Sequence, residues 1–150
     1  MKIAIGSDHG GFELKELVVK YLRENEHEVL DCGCDSLESV DYPDFAEKVC
    51  FEVRSGVCEA GILICGTGIG MSITANKVPG AYAALCADAY STERSIKSNN
   101  ANIMTLGEQV TGVELAKSLV TIWVKAVYES GGRSEPKIQR IYEYAKAHAK

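Results

Sequence analysis

Gly61-Ile62-Leu63-Ile64-Cys65, followed at once by Gly66-Thr67-Gly68-Ile69-Gly70-Met71-Ser72, decides the fold of this chain. An unbroken apolar run of strand length predicts a strand buried on both faces, as in a parallel sheet covered by helices. The glycines after it predict a tight loop that opens a helix. Working outward, further strands are predicted at Lys2–Gly6, Glu28–Asp31, Ala81–Cys86 and Ile103–Leu106. Amphipathic stretches lie between them. Leu14, Leu17, Val18, Tyr21 and Leu22 share one helical face, and so do Phe45, Val49, Cys50 and Val53 in a helix entered at Pro43 with Asp41 as its candidate cap. A long helix carries Val113, Ala116, Val120, Trp123, Val124 and Val127. After a Gly131-Gly132 break, Ile138, Ile141, Tyr142 and Ala145 mark a last helix over about 136–148. Such alternation predicts an α/β fold, a Rossmann-like three-layer α/β/α sandwich with a five-stranded parallel sheet, and residues 1–150 as a single domain.

Composition narrows the function. Hydrophobic residues at 46% and charged residues at 25% are globular values, which excludes disorder. A net charge of -5 without a basic stretch excludes a general nucleic-acid binder, while leaving room for a local site for one small anion. The apolar start is too short for a signal peptide, and no run is long enough to span a membrane, so a cytoplasmic protein is expected. Its six cysteines are therefore expected to be reduced thiols. Cys32 and Cys34 are one residue apart and the three histidines form no ligand pattern, so neither a metal nor another cofactor is expected.

In open α/β sheets ligands bind beyond the carboxyl ends of the strands. Three segments are expected there: Ser7-Asp8-His9-Gly10-Gly11, the glycine loop at 65–70, and Ser98-Asn99-Asn100-Ala101-Asn102 folding over the other two. The loop differs from a dinucleotide fingerprint because its third glycine comes one residue early and it follows the third strand; Asp88, at ribose-contact distance, keeps nucleotide binding open. Cys65 has two readings. It could be a small buried hydrophobe ending a core strand. It also lies where a strand meets a helix N-terminus, whose field favours a thiolate. The neighbouring amides could then hold an enediolate oxygen.

Taken together, these segments resemble ribose-5-phosphate isomerase B and its relatives, the galactose-6-phosphate isomerase subunits. The resemblance is carried by Ile5-Gly6-Ser7-Asp8-His9-Gly10-Gly11-Phe12, Asp41-Tyr42-Pro43-Asp44, the block 61–72, Ala75-Asn76-Lys77, Asn99-Asn100-Ala101-Asn102 and Gly131-Gly132-Arg133. It implies a metal-free aldose–ketose isomerase, a homodimer or homotetramer whose sites are shared between subunits, and a C-terminal helix that packs on the partner. It further implies Cys65 as the base moving a proton between C1 and C2, Thr67 as its hydroxyl partner, and the amides of Gly66, Gly68, Ile69 and Gly70 as an anion hole. Asp8, His9, Tyr42 and Asn99 would contact the sugar and its phosphate end. No carboxylate occurs between Cys65 and Asp88, which leaves Cys65 as the base of this stretch. Asp8 also reads as a helix cap, Tyr42-Pro43 as a helix entry and Asn99–Asn102 as a polar turn.

Three positions depart from that pattern. Ser98 stands where many relatives carry a histidine thought to open the sugar ring, and a hydroxyl is a poor general acid. Gln109 replaces an arginine. Ser134-Glu135-Pro136-Lys137 replaces a histidine and arginine, so the phosphate would rest on Arg133, Lys137 and His9. These changes predict a wider site, open to six-carbon sugars such as allose and psicose. The rivals are a non-catalytic phosphate- or nucleotide-binding module and one half of a hetero-oligomeric isomerase.

Overall fold

Each apolar run becomes a strand of one sheet in the computed structural model, which describes residues 1–149. The strands are β1 (Lys2–Ser7), β2 (Glu28–Asp31), β3 (Ala60–Cys65), β4 (Ala83–Leu85) and β5 (Ile103–Gly107). All pair in parallel, in the order β2-β1-β3-β5-β4. Six α-helices cover the two faces: α1 (Phe12–Glu24), α2 (Tyr42–Arg54), α3 (Ile69–Ala75), α4 (Ala89–Lys97), α5 (Val113–Lys125) and α6 (Glu135–Ala147). This is the expected α/β sandwich. None of these helices is long and apolar enough to cross a membrane.

Strand alternation divides the core in two. Ile62 and Ile64 point to one face, with Ile3, Ile5 and Met104, against Leu14, Val18 and Leu22 of α1 and Leu119, Val120 and Trp123 of α5. Leu63 and Cys65 point to the other, against Val49 and Cys50 of α2 and Met71 and Ala75 of α3. Each buried aliphatic side chain contributes about 1.5–3 kcal/mol, so this doubly covered centre sets the register of β3. The strand order reverses between β1 and β3, so their following loops diverge and leave a crevice, the usual ligand position in such sheets.

Several elements differ from expectation. The α1 stripe is rotated: Leu17 is exposed, and Lys15 is buried with its ammonium 2.8 Å from both Asp31 oxygens and 2.9 Å from Glu16. Burial works against that charge, but the two carboxylates outweigh it and hold the Lys15 pKa above its usual value. Strand β4 is shorter than Ala81–Cys86, because the Asn102 side chain takes the Tyr82 N–H. Asp41 holds the N-cap position of α2 without a side-chain bond. Helix α5 stops at Lys125, leaving Val127 exposed.

Candidate active site

The site is built on two strand ends that the topology makes neighbours. At the end of β1, Asp8 caps a single 3-10 turn (His9–Gly11), its Oδ1 accepting the Gly11 N–H at 3.1 Å. The cap reading of Asp8 therefore holds, and the cap keeps a buried carboxylate beside the crevice. Only glycine fits at position 11, since a Cβ there would stand 2.4 Å from the Ile64 carbonyl oxygen of β3. That close approach brings the turn against the second loop: a Cβ on Gly10 would lie 3.5 Å from the Gly66 nitrogen. The His9 Nδ1 accepts the Val40 N–H at 3.1 Å, so the proton of the neutral ring sits on Nε2.

At the end of β3 lies Cys65, 5% exposed. Its sulfur accepts the N–H of Gly68 at 3.1 Å and so points into the loop it precedes. The loop turns at Gly68, whose φ of 81° suits glycine, and enters α3 at Ile69. Thr67 Oγ1 accepts the Ile69 N–H at 3.2 Å. Among the described residues no protein acceptor takes the N–H of Gly66 or Thr67. Tyr42, at the start of α2, packs its ring on Gly70, where a Cβ would come within 2.5 Å of it. The chain thus gathers Asp8, His9, Tyr42, Cys65, Gly66, Thr67, Gly68, Ile69 and Gly70 at the carboxyl edge of the sheet.

The loop after β5 completes this group, and the sequence reading missed its part. Glu108 donates its N–H to the Cys65 carbonyl at 2.9 Å, and its Oε1 accepts the N–H of Leu14, in the first turn of α1, at 2.6 Å. One residue, through its backbone N–H and its carboxylate, therefore ties the start of the glycine loop to the helix behind Asp8 and His9. A single acidic residue after a strand carries no sequence signal for such a cap. Gln109, singled out as a departure, lies beside Gly66, with its amide carbon 3.7 Å from where a Cβ would stand.

The third expected segment is not there. The Asn102 carbonyl accepts the Gly61 N–H and the Asn102 N–H meets the Tyr82 carbonyl, which places this residue at the amino ends of β3 and β4. Cys65 stands at the far end of β3, about 13 Å away at the rise of a strand. Helix α4 runs back along the sheet and delivers Ser98 to the same amino edge. Within one chain, Ser98–Asn102 does not fold over the cradle; a segment that precedes a parallel strand enters the sheet at the wrong end for that. No hydrogen bond or ion pair joins Arg133 or Lys137 to the cradle, and both are exposed. Two family-motif asparagines have structural work instead: Asn76 pairs with the Ala83 N–H and C=O, and Asn102 with Tyr82 and Gly80, covering an open edge strand.

A parallel sheet with an amide loop and a thiol at its switch point defines an α/β protein with a ligand crevice at the carboxyl edge, and comparison with known proteins gives the family. Residues 3–141 match the Ribose/Galactose Isomerase family, and the chain belongs to it. A protein of Listeria innocua named ribose-5-P isomerase B is 50% identical, over 95% of this chain and 96% of its own length. A D-erythrulose-4-phosphate isomerase of Pectobacterium atrosepticum is 44% identical over 99% of each. The solved ribose-5-phosphate isomerase B of Clostridium thermocellum superposes with a TM-score of 0.96 at 49% identity, covering 99% of this chain and 100% of that one.

Proposed function

We propose that the protein interconverts ribose 5-phosphate and ribulose 5-phosphate through a cis-enediolate, with Cys65 as the base. The observation that carries this reading is the Gly68 N–H aimed at the Cys65 sulfur, with the Gly66 and Thr67 amides left unpaired beside it. The thiolate removes the proton from C2 of the open-chain aldose, and the electron pair moves through C1 onto O1. The loop amides stabilise that oxyanion, a contribution of roughly 100- to 1,000-fold per donor. The Thr67 hydroxyl passes the hydroxyl proton from O2 to O1. Cys65 then returns its proton to C1, giving the ketose. Asp8 and the His9 Nε2–H hold the sugar hydroxyls.

Ser98, Asn99, Arg133 and Lys137 reach such a site only from a second copy of the chain. Two features support a shared site. Thr67 and Ile69 leave the cradle open to solvent in the single chain, and Ile69, Ile73, Leu85 and Tyr90 form exposed apolar surface beside it. Helix α6 packs on its own chain through Ile138, Tyr142 and Tyr82, leaving Ile141 and Tyr144 exposed for a partner.

A second substrate reading rests on Ser98, whose hydroxyl accepts two bonds from Arg94 and is not poised as an acid. A tetrose 4-phosphate cannot close a furanose ring through its esterified O4, so it needs no ring opening. The name of the Pectobacterium relative points the same way. The test is turnover of purified protein on ribose 5-phosphate, erythrose 4-phosphate, allose 6-phosphate and allose in deuterated water. We expect the pentose phosphate to be fastest, with deuterium entering the carbon next to the carbonyl. Failure on all four sugars overturns the isomerase reading, and preference for allose or erythrose 4-phosphate overturns only the pentose.

A further inference from the structure

Arg94 is the cation that the sequence reading passed over. It lies on α4, one turn before Ser98, and its Nε donates to the Ser98 Oγ at 2.7 Å while Nη2 donates to the same oxygen. The bond fixes a long side chain that otherwise loses about 2 kcal/mol of rotamer freedom on being held. It also leaves the Nη1 pair and one Nη2 N–H open. Among the described residues no carboxylate forms an ion pair with Arg94, although the chain carries 21 acidic residues against 16 Lys and Arg. Its neighbour on the helix, Lys97, does pair, with Glu93 at 3.6 Å.

The half-buried guanidinium lines a groove of about 470 Å³ along the outer edge of β4, together with Asn99, Leu85, Tyr90 and Ile141. The Asn99 side chain has no hydrogen-bond partner among the described residues. A fixed cation and an unpaired carboxamide thus share a mostly apolar wall, an arrangement that suits a small, oxygen-rich anion. Ser98 is short enough to leave room for the arginine and polar enough to hold it.

We infer that Arg94, positioned by Ser98, binds the phosphate of the sugar substrate in a site completed by a second copy of the chain. The inference rests on the shared-site reading above, in which Asn99 contacts the sugar. It assigns to Arg94 the charge that Gln109 does not supply. Ser98 is then a positioning residue rather than a proton donor.

The test compares wild type with Arg94→Met, Arg94→Lys and Ser98→Ala. Inorganic phosphate binding is followed by calorimetry, and KM and kcat are measured on ribose 5-phosphate and unphosphorylated ribose. Losing a charge-assisted hydrogen bond weakens binding about tenfold to a hundredfold. Arg94→Met is expected to weaken phosphate binding and raise the KM for ribose 5-phosphate by that factor, more than it lowers kcat. The KM for ribose should move less than threefold or so on the same scale. Arg94→Lys should fall between, since an ammonium keeps charge but loses the fork. Ser98→Ala should weaken phosphate by a smaller factor, with Arg94 present but unheld. Phosphate binding unchanged in a folded Arg94→Met protein overturns the inference, whatever the turnover. Loss of phosphate binding in that variant, in a protein that isomerises none of the sugars, sustains Arg94 and overturns the isomerase reading instead.

Discussion

Cys65 and Cys86 stand at the carboxyl ends of two strands of one sheet, both buried, at 5% and 1% exposure. Their sulfurs meet different partners. Cys65 accepts an amide N–H from Gly68, whereas Cys86 donates its S–H to the Ala84 carbonyl at 3.5 Å. Burial pushes the Cys86 thiol pKa up, with the Asp88 charge adding to the rise against hydrogen bonds from Thr92 and Ser95. At Cys86 burial outweighs the two hydroxyl donors, and the carbonyl acceptor holds the proton on sulfur. Residue type and strand position are therefore not enough to define a nucleophile or base. What separates the two is the glycine loop, which turns the Gly68 amide back on Cys65.

Replacing each thiol in turn separates the two strand ends most directly. Cys65→Ala is expected to lower kcat by roughly 1,000-fold, within the range of a lost general base. Cys86→Ala should keep kcat within about twofold and lose on the order of 1 kcal/mol of stability, as a small core truncation does. Steady-state rates and urea melts of both variants measure this. Equal losses of kcat would show that the two strand ends do not differ in function.

The second test asks whether the cradle depends on its exact backbone path. A Cβ at Gly70 would meet the Tyr42 ring at 2.5 Å, so Gly70→Ala must move either the loop or the ring. A displacement of about 1 Å at a reacting centre costs up to about 100-fold. We expect kcat/KM to fall roughly tenfold to a hundredfold on that ground. Adding Tyr42→Ala should restore part of the loss, because the obstructing ring is gone. If the double variant is worse by the product of the two single effects, Tyr42 acts on the substrate and not through the loop.

How much of this was legible follows from where each signal is local. The buried strand at 61–65 and the glycine loop were readable because hydrophobic run and glycine spacing are properties of neighbouring residues. Helix α4 was not, because its inward face is Thr92 and Ser95, which carry no hydrophobic period; the Asp88 side chain on the Ser91 N–H was its one available signal. The burial of Lys15 carries no local signal, because its partner Asp31 is on another element. The Ser98–Asn102 segment was assigned to the wrong edge. Its motif was recognisable, but its end of the sheet is a property of topology.

The other buried thiols sharpen the contrast through pH. Burial alone pushes Cys50, inside α2, from 9.0 to about 11. The folded state thus prefers the protonated thiol, and the unfolded chain begins to release that proton first. Its contribution is fully present below pH 9 and is lost as pH rises toward 11, by about 2–3 kcal/mol in all. Denaturant melts at pH 8 and pH 10.5 should show this decline in wild type and a smaller one in Cys50→Ala. An identical decline would mean that other groups carry it. The Cys32 thiol is likewise pushed up to about 11, chiefly by burial and then by Glu52, so at pH 8 iodoacetamide should alkylate Cys50 and Cys32 only slowly.

The smallest expected effect concerns the strand end between the two cysteines. Glu108, after β5, caps α1 through Leu14 and holds the Cys65 carbonyl by its own N–H. Removing the carboxylate leaves a helix N-terminus without its acceptor, so Glu108→Ala should cost about 1 kcal/mol of stability. Glu108→Gln keeps an acceptor oxygen and loses only the interaction of charge with the helix dipole, about 0.3–1 kcal/mol. If the cap serves only stability, both variants will melt earlier with unchanged kinetics. If it also aligns the turn that carries Asp8 and His9 with the glycine loop, Glu108→Ala will raise KM several-fold, on the scale of about 1 kcal/mol in binding, and Glu108→Gln will recover most of it. The second outcome is expected, because Glu108 reaches both loops with one residue and nothing comparable follows β4.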